Sequence, residues 1–306
     1  MQHFKKVLLT GVNGQVGYIL KQKLEVDSQF ELFALDREKL NLSKPEEIRR
    51  VIREIKPDVI INPAAYTAVD KAESEPELAF AVNAVATRIL AEEAAKLNAL
   101  LVHYSTDYVF DGNKLYPYLE DDETNPLSIY GESKLAGEHA IQEVDASYLI
   151  FRTSWVYGAY GKNFFKTILR LSRELDILRI VGDQFGAPTS SLSIAYATIH
   201  ALNKINNENQ MIQSGIYHMT NSGRTSWHGF TTEVITQYAK FSKKNNLPML
   251  KTTTANIVEI TTSDYPTPAI RPKNSSLDTT KLNQTFGIYL PPWQLALTEV
   301  IATNNQ

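Results

Sequence analysis

The chain has 306 residues, of which 43% are hydrophobic and 21% are charged, as expected for a globular protein and not for a disordered or fibrous one. Its 31 basic and 34 acidic side chains give a formal net charge of -3 at pH 7, which argues against a general nucleic-acid binder. The absence of cysteine excludes disulfides, thiolate metal ligands and cysteine nucleophiles.

The first residues predict neither a signal peptide nor a membrane anchor. Two lysines precede a short apolar run, Val7–Leu9, whereas a signal-peptide core needs ~7–15 apolar residues. No window of the chain approaches the ~18 consecutive apolar residues that span a bilayer. We therefore expect a cytoplasmic protein with no membrane partner.

Strands alternate with helices along the first two thirds of the chain. Short apolar runs predict buried strands at 6–10, 31–35, 58–62, 100–104 and 147–152. Apolar residues at helical spacing predict helices at 17–25, 46–55 and 76–97. This alternation indicates βαβ units, so the expected fold class is α/β: a Rossmann-type doubly wound parallel sheet with a smaller α/β substrate-binding cap.

The regular pattern weakens after about residue 160, and the last part of the chain is richer in Thr, Asn and Pro. The length also suggests roughly two domains. We therefore predict a dinucleotide-binding domain at 1–162 and 190–228, and a substrate-binding domain at 163–189 and 229–306.

Three glycines follow the first predicted strand directly. Gly11, Gly14 and Gly17 form GVNGQVG, which opens a helix. Glycine allows a sharp turn and a close approach of the backbone to a pyrophosphate, and the helix N-terminus supplies unpaired N–H groups. The alternative is a turn that merely needs small residues. The position of the three glycines between a strand and a helix favours a dinucleotide site.

The second predicted strand is followed by Asp36 and Arg37. An acidic residue at this place is expected to hydrogen-bond the adenosine ribose of NADH. The arginine could instead pair with the 2′-phosphate of NADPH. The sequence therefore predicts use of both cofactors and leaves the preference open.

Tyr130 and Lys134 lie one turn apart on a predicted helix. A tyrosine with its ordinary pKa of ~10 exchanges protons poorly near neutrality, and we expect the lysine ammonium to depress that pKa. A packing tyrosine beside a solvated lysine is the alternative in a chain without a glycine loop. A hydroxyl at the end of the strand 100–104 completes the site, and by residue type either Ser105 or Thr106 can serve.

Several segments together resemble the extended short-chain dehydrogenases/reductases and, among them, the dTDP-4-dehydrorhamnose reductase family. The similarity runs from about residue 5 to about residue 300. The segments that carry it are HYSTDYVFDG (103–112), YGESKLAGE (130–138), FRTSWVYG (151–158), DQFGAPT (183–189) and YPTPAIRPKNSSLDTTKL (265–282).

The resemblance implies NAD(P)H-dependent reduction of the C4 keto group of dTDP-4-dehydro-β-L-rhamnose to dTDP-β-L-rhamnose, the last step in making that sugar donor. Tyr130 would protonate the developing alkoxide, Lys134 would hold the nicotinamide ribose, and Thr106, chosen over Ser105, would tune the proton transfer. Substrate contacts are expected from Thr106, Asp107, Trp155 and Arg271. The expected cofactor contacts are Gly11, Asn13, Gly14, Gln15, Val16, Gly17, Asp36, Arg37, Asn41, Leu42, Ala64, Ala65, Tyr66, Thr67, Tyr104, Tyr130 and Lys134.

Three of the candidate residues keep a plain structural alternative. Trp155 is by itself equally suited to a core position, and Arg271 to the surface. Asn83, in the middle of a predicted helix, is expected either to hydrogen-bond the fourth strand or to contact the cofactor.

No metal site is predicted, because the six histidines show no ligand spacing. Mg²⁺ dependence varies within the family, so Mg²⁺ is left without assigned ligands. A homodimer is the expected oligomer by base rate, and no nucleic-acid partner is expected. Two other functions stay open: a nucleotide-sugar epimerase of the same fold, and a non-catalytic regulatory subunit resembling that of methionine adenosyltransferase.

Overall fold

The computed structural model describes residues 5–207 and 213–304. None of its helices is long and apolar enough to cross a membrane, as far as the described residues show. In chain order the elements are β1 (Lys6–Leu9), α1 (Gln15–Glu25), β2 (Glu31–Ala34), α2 (Pro45–Ile55), β3 (Val59–Asn62), α3 (Val69–Ala72), α4 (Pro76–Phe80), α5 (Ala86–Leu97), β4 (Leu100–Thr106), α6 (Ile129–Gln142), β5 (Ser147–Thr153), β6 (Val156–Tyr157), α7 (Phe164–Glu174), β7 (Leu178–Val181), β8 (Phe185–Gly186), β9 (Thr189–Ser190), α8 (Ser191–Asn207), β10 (Gly215–His218), β11 (Thr225–Ser226), α9 (Trp227–Asn245), β12 (Ile257–Ile260), α10 (Thr280–Phe286) and α11 (Trp293–Asn304).

A six-stranded sheet forms the centre of the molecule, with the strand order β10-β5-β4-β3-β1-β2. Every neighbouring pair in it is parallel. The chain leaves β1 for β2 on one side and returns to β3 on the other, so the strand order reverses between β1 and β3. In doubly wound sheets, ligands bind at such a reversal, outside the carboxyl ends of the strands. The predicted fold class is confirmed.

Both faces of this sheet are covered by helices, because alternate residues of a strand point to opposite faces. Val7 and Leu9 of β1 pack in one buried apolar cluster with α1 and α8. Leu8 packs in a second cluster on the other face with α2 and α5. Near-continuous burial explains why these strands are uniformly apolar and not alternating.

A third apolar cluster lies outside the central sheet. It joins α7, α9 and α11 through residues such as Phe165, Phe230 and Leu297. Three short strand pairs, β6 with β9, β7 with β12 and β8 with β11, belong to this part of the chain. Leu282 and Phe286 of α10 pack instead into the cluster beneath β1. The predicted domain boundaries stay a prediction, and positions 1–4, 208–212 and 305–306 of those ranges lie outside the described residues.

Two predicted elements differ from the structure in an informative way. The strand predicted at 100–104 continues as β4 to Thr106, because Ser105 and Thr106, although polar, pair with Arg152 and Thr153 of β5. The helix predicted at 76–97 is interrupted by a π-helical turn at Ala81–Val85, between α4 and α5. Such turns are often found at functional sites, and this one contains Asn83.

Candidate active site

The glycine loop connects β1 to α1 at the point where the strand order reverses. Gly11 has a positive φ of 58°, and a Cβ on it would lie 2.9 Å from the backbone of Ala64. A Cβ on Gly17 would lie 2.2 Å from the carbonyl oxygen of Gly11. Gly14 caps α1 without a side-chain hydrogen bond, so the first N–H groups of this helix are available to an anion.

One cavity of about 700 Å³ opens along this loop and along the carboxyl ends of the central strands. All of the predicted cofactor contacts except Gly17 line it, and Gly17 instead packs under the loop. The cavity wall therefore includes Gly11, Asn13, Gly14, Gln15, Val16, Asp36, Arg37, Asn41, Leu42, Ala64, Ala65, Tyr66, Thr67, Tyr104, Tyr130 and Lys134.

Asp36 and Arg37 lie together at one end of the cavity. Oδ1 of Asp36 accepts hydrogen bonds from the backbone N–H groups of Glu38 and Lys39, both at 3.1 Å. The side chain is thereby fixed, and its second oxygen remains available. Arg37 is exposed at the same rim.

Asn83 has a structural role that joins two parts of the cavity wall. Its Oδ1 accepts a hydrogen bond from the backbone N–H of Tyr66 at 2.8 Å, and its Nδ2 donates to Ser133 Oγ at 3.0 Å. Ser133 in turn donates to the carbonyl of Tyr130 at 2.9 Å. The bonds of Asn83 thus reach the loop after β3 and helix α6, and not β4 as one of the two predictions held.

Tyr130 lies at the start of α6, where Ser128 caps the helix by accepting from the N–H of Gly131. Burial raises the pKa of the Tyr130 phenol to about 12, a hydrogen bond with Thr106 opposes this, and the charge of Asp107 adds to it. The expectation of a depressed pKa is therefore wrong for this structure. The reason is the burial of the phenol, which outweighs the hydrogen bond with Thr106.

Lys134 is 1% exposed, an unusual burial for a lysine. Its Nζ donates to the carbonyl of Tyr104 at 2.6 Å and lies 3.0 Å from Nε2 of His103. Burial lowers the pKa of Lys134 to about 8, and the negative charge of Glu138 partly opposes this. His103 is buried as well, and it contacts the predicted catalytic lysine.

Three polar atoms at the carboxyl ends of β4 and β5 are buried with no hydrogen-bond partner among the described residues: Oγ of Ser105, Oδ2 of Asp107 and Oγ1 of Thr153. The other carboxylate oxygen of Asp107 accepts from the Thr106 hydroxyl at 3.1 Å. Burial raises the pKa of Asp107 to about 7. Buried polar atoms are rarely left unpaired, so these three atoms are suited to hydrogen bonds with water or a ligand.

None of the four predicted substrate contacts is among the residues that line the cavity, and of the two candidate hydroxyls Ser105 lines it whereas Thr106 does not. The last two predicted contacts, Trp155 and Arg271, have partners elsewhere. Trp155 has a left-handed backbone, with φ of 47°, and stacks on Trp227 with ring centroids 3.5 Å apart and planes 6° apart. Arg271 pairs with the carboxylate of Asp70, with Nη2 2.8 Å from Oδ2. Their roles toward a substrate stay predictions.

Sequence reasoning missed several residues around the cavity, among them Thr153, Lys162 and His103. Thr153 and Lys162 line it, and His103 supports Lys134 from beneath. The end of the strand at 147–152 was a signal for Thr153, since ligand contacts gather at strand ends. Nothing in the sequence marks Lys162, which follows Gly161 in a turn.

Among residues 5–207 and 213–304, no group of three or more His, Asp or Glu side chains is arranged to hold a metal ion. The polar side chains of the site carry hydroxyl, phenol, ammonium and carboxyl groups. These groups gather around one dinucleotide-sized cavity.

The fold and the position of the tyrosine–lysine pair define the class: the chain is built as an extended short-chain dehydrogenase/reductase. A family model described as "RmlD substrate binding domain" matches residues 5–306. A protein of Burkholderia thailandensis named dTDP-4-dehydrorhamnose reductase is 47% identical over 294 residues, which cover 95% of this chain and 96% of that protein.

A protein of Escherichia coli K12 with the same name is 43% identical over 297 residues, 96% of each chain. The crystal structure of dTDP-4-dehydrorhamnose reductase from Bacillus anthracis in complex with NADP has a TM-score of 0.86 and 33% identity, with 98% of this chain and 99% of that chain covered. The chain therefore belongs to the dTDP-4-dehydrorhamnose reductase family.

Proposed function

We propose that the protein reduces the C4 keto group of dTDP-4-dehydro-β-L-rhamnose with NAD(P)H to give dTDP-β-L-rhamnose, the final step of dTDP-rhamnose biosynthesis. The observation that carries this proposal is that Tyr130 and Lys134 line the same cavity as the glycine loop, with the Thr106 hydroxyl beside the Tyr130 phenol. Family membership supports the same reaction.

The cavity fits a nicotinamide dinucleotide. The close approach of Gly11 to Ala64 leaves backbone, and not side chain, facing the space beside the N-terminus of α1. Asp36 and Arg37 would hold the adenosine ribose, and Tyr130 and Lys134 lie at another part of the wall. A bound nicotinamide supplies the hydride that goes to C4 of the sugar.

Tyr130 supplies the proton that completes the reduction. A general acid must be protonated before it acts, and the phenol is protonated at neutral pH. Because burial raises its pKa to about 12, release of the proton requires stabilisation of the phenolate. When the proton passes to the C4 oxygen, the resulting phenolate is buried beside the Thr106 hydroxyl. Thr106 therefore stabilises the charge that develops in the step.

Lys134 stabilises the same phenolate from one helical turn away. An ammonium has three N–H donors, and two of them are directed to His103 and the carbonyl of Tyr104. The third remains for the ribose of the cofactor. Removal of Lys134 therefore affects both cofactor affinity and the proton transfer.

The substrate is held outside the carboxyl ends of β4 and β5. The unpaired Oδ2 of Asp107 is suited to a sugar hydroxyl. Trp155 offers an aromatic surface. The Arg271 guanidinium, whose two arms bind Asp70 in this structure, would bind the diphosphate in exchange for that carboxylate. The choice of dTDP over another nucleotide rests on the family.

The location and assembly of the protein are part of the same proposal. A cytoplasmic location is supported by the absence of cysteine and by the NAD(P)H that the reaction consumes. A homodimer is supported by the frequency of two-fold oligomers. Light scattering on the purified protein measures the assembly directly.

The test is the oxidation of NADPH by the purified protein with dTDP-4-dehydrorhamnose, compared with the UDP analogue. We expect turnover with the dTDP sugar and weaker turnover with the UDP sugar. Tightly bound NAD⁺ together with no consumption of added NADPH would indicate an epimerase. Tight binding of a protein partner without turnover of any dTDP sugar would indicate a regulatory subunit.

A further inference from the structure

His103 is the centre of a buried polar chain that ends at the lysine of the site. Its Nε2 lies 3.0 Å from Lys134 Nζ, and its Nδ1 lies 3.1 Å from Nδ2 of Asn62. Asn62 Oδ1 accepts from the Thr10 hydroxyl at 2.6 Å. The chain therefore runs from the end of β1 through β3 and β4 to α6, and each of these four side chains is at most 2% exposed.

His103 carries no charge in this environment. Burial, followed by the positive charge of Lys134, holds the pKa of its imidazole well below the usual value. A neutral imidazole has one N–H donor and one acceptor nitrogen, so His103 donates one of its two hydrogen bonds and accepts the other. The nitrogen that faces Lys134 is therefore either an acceptor or a donor.

The charge on Lys134 decides between these arrangements. An ammonium can only donate, so Nε2 of His103 must then accept and Nδ1 must carry the proton. The amide of Asn62 then turns its oxygen toward His103 and its nitrogen toward Thr10. With an uncharged lysine, Nε2–H donates and the amide of Asn62 keeps its nitrogen toward Nδ1.

Few other groups act on the Lys134 ammonium. Glu138 lies one turn further along α6, and the Arg152 guanidinium on β5 binds it at 2.7 Å and neutralises much of its charge. Tyr130 lies one turn earlier on α6, and Asp107, after β4, acts on Tyr130. The acceptors in direct contact with Nζ are thus the Tyr104 carbonyl and His103.

We propose that His103 is a positioning residue: its Nε2 accepts a hydrogen bond from Lys134 and thereby keeps this buried lysine charged and directed. This state requires the Asn62 amide to turn over from the orientation in this structure, where its nitrogen faces Nδ1 of His103 and its oxygen faces Thr10. The inference rests on the proposed function for its kinetic consequence, because the ammonium is needed to stabilise the Tyr130 phenolate. If the inference holds, His103, in the middle of β4, affects the pH range over which the enzyme is active.

The structure offers a matched pair of variants. In His103→Gln the amide lies near the place of Nε2, so its oxygen can still accept from Lys134. In His103→Asn the amide lies near the place of Nδ1 and reaches Asn62 but not Lys134. His200→Asn, on the exposed side of α8, is the control for the loss of a histidine elsewhere.

Two measurements are made on each protein. The first is the titration of the Lys134 Cε resonance in ¹³C-lysine-labelled protein without cofactor, assigned by its absence in Lys134→Met. The second is the pH profile of kcat/KM. We expect His103→Asn to lower the Lys134 midpoint and the alkaline limb by about one pH unit, the scale of a hydrogen bond to a charged group. His103→Gln should stay within a few tenths of a unit of the wild type.

Equal shifts in both variants, or no shift in either, would overturn the inference and leave His103 as a packing residue. If His103→Asn does not fold, ¹⁵N shifts of the wild-type imidazole decide: Nδ1–H at neutral pH supports the inference, and Nε2–H contradicts it. A wild-type protein that does not reduce the dTDP sugar contradicts the proposed function alone, since the lysine titration is still measured.

Discussion

Arg271 binds the carboxylate of Asp70 with both arms of its guanidinium, although the two residues are 201 positions apart in the chain. The distances are 3.0 Å from Nη1 to Oδ1 and 2.8 Å from Nη2 to Oδ2. This pair ties the segment after β12 to α3, beside the cavity wall. The hydrogen bond with Arg271 holds the pKa of Asp70 below its usual value.

This geometry makes the predicted contact of Arg271 with the substrate diphosphate testable. We expect Arg271→Lys to raise KM for the nucleotide sugar about tenfold, because lysine cannot form the two parallel bonds of the fork. The dissociation constant for NADPH, measured by fluorescence, should not change. An unchanged KM with a lower melting temperature would show that Arg271 serves the Asp70 pair alone.

The role of Tyr130 predicts a loss confined to the chemical step. Tyr130→Phe removes the proton donor and should lower kcat by about 10²–10⁴, the range for a general acid, with NADPH affinity nearly unchanged. Tyr108→Phe is the matched control, since its ring packs edge-on against Tyr130 with centroids 5.7 Å apart. We expect that control to keep kcat within about threefold. Near-normal turnover of Tyr130→Phe would mean that the proton comes from another group.

Lys134 is expected to behave differently, because its ammonium serves the phenolate and the cofactor ribose together. Lys134→Met should lower kcat and also weaken NADPH binding. Single-turnover kinetics at saturating NADPH separate the two effects. Normal NADPH affinity together with a low kcat in this variant would show that Lys134 does not contact the cofactor ribose.

The fold was readable from the sequence because its buried strands are short apolar runs bounded by turn residues. The end of β4 was not, since Ser105 and Thr106 are polar residues buried at the site, and an apolar pattern stops before them. The spacing of apolar residues also could not predict the π-helical turn around Asn83. This turn accompanies hydrogen bonds to Tyr66 and Ser133, which no local pattern specifies.

The candidate site was likewise predictable from the sequence only in part. The glycine spacing and the position of Asp36 placed one part of the cavity correctly, because both depend on local chain geometry. The contact between His103 and Lys134 joins two elements through their side chains and has no sequence signature. The raised pKa of Tyr130 follows from its burial. A sequence pattern predicts burial for apolar runs but not for a single tyrosine at a helix start.

Asp36 and Arg37 should set the cofactor preference in opposite directions. Asp36→Ala removes a carboxylate that accepts from the ribose and repels a 2′-phosphate, so the ratio of kcat/KM for NADPH over NADH should rise about tenfold. Arg37→Ala should lower the same ratio. Glu38→Ala, a neighbouring exposed carboxylate, is the control. An unchanged ratio in Asp36→Ala would remove Asp36 from the ribose site.

The buried carboxyl of Asp107 predicts a pH dependence of stability. Its pKa is raised from 3.8 to about 7 in the folded protein, so the folded state binds this proton more tightly than the unfolded state does. The stabilisation is complete below the unfolded value and is lost as the pH rises through about 7. Asp107→Asn keeps a neutral side chain of the same shape and should remove this loss.

The comparison of variant with wild type isolates Asp107 from other groups. His218, whose pKa burial lowers to about 3, changes stability in the opposite direction, but equally in both proteins. The free energy of unfolding is measured by urea denaturation between pH 5 and pH 8. We expect Asp107→Asn to gain on the order of 3 kcal/mol relative to wild type across this range. Asp176→Asn, an exposed carboxyl, should show no gain. Parallel curves for Asp107→Asn and wild type would mean that Asp107 is ionised in the folded protein throughout, and that its unpaired oxygen meets water and not substrate.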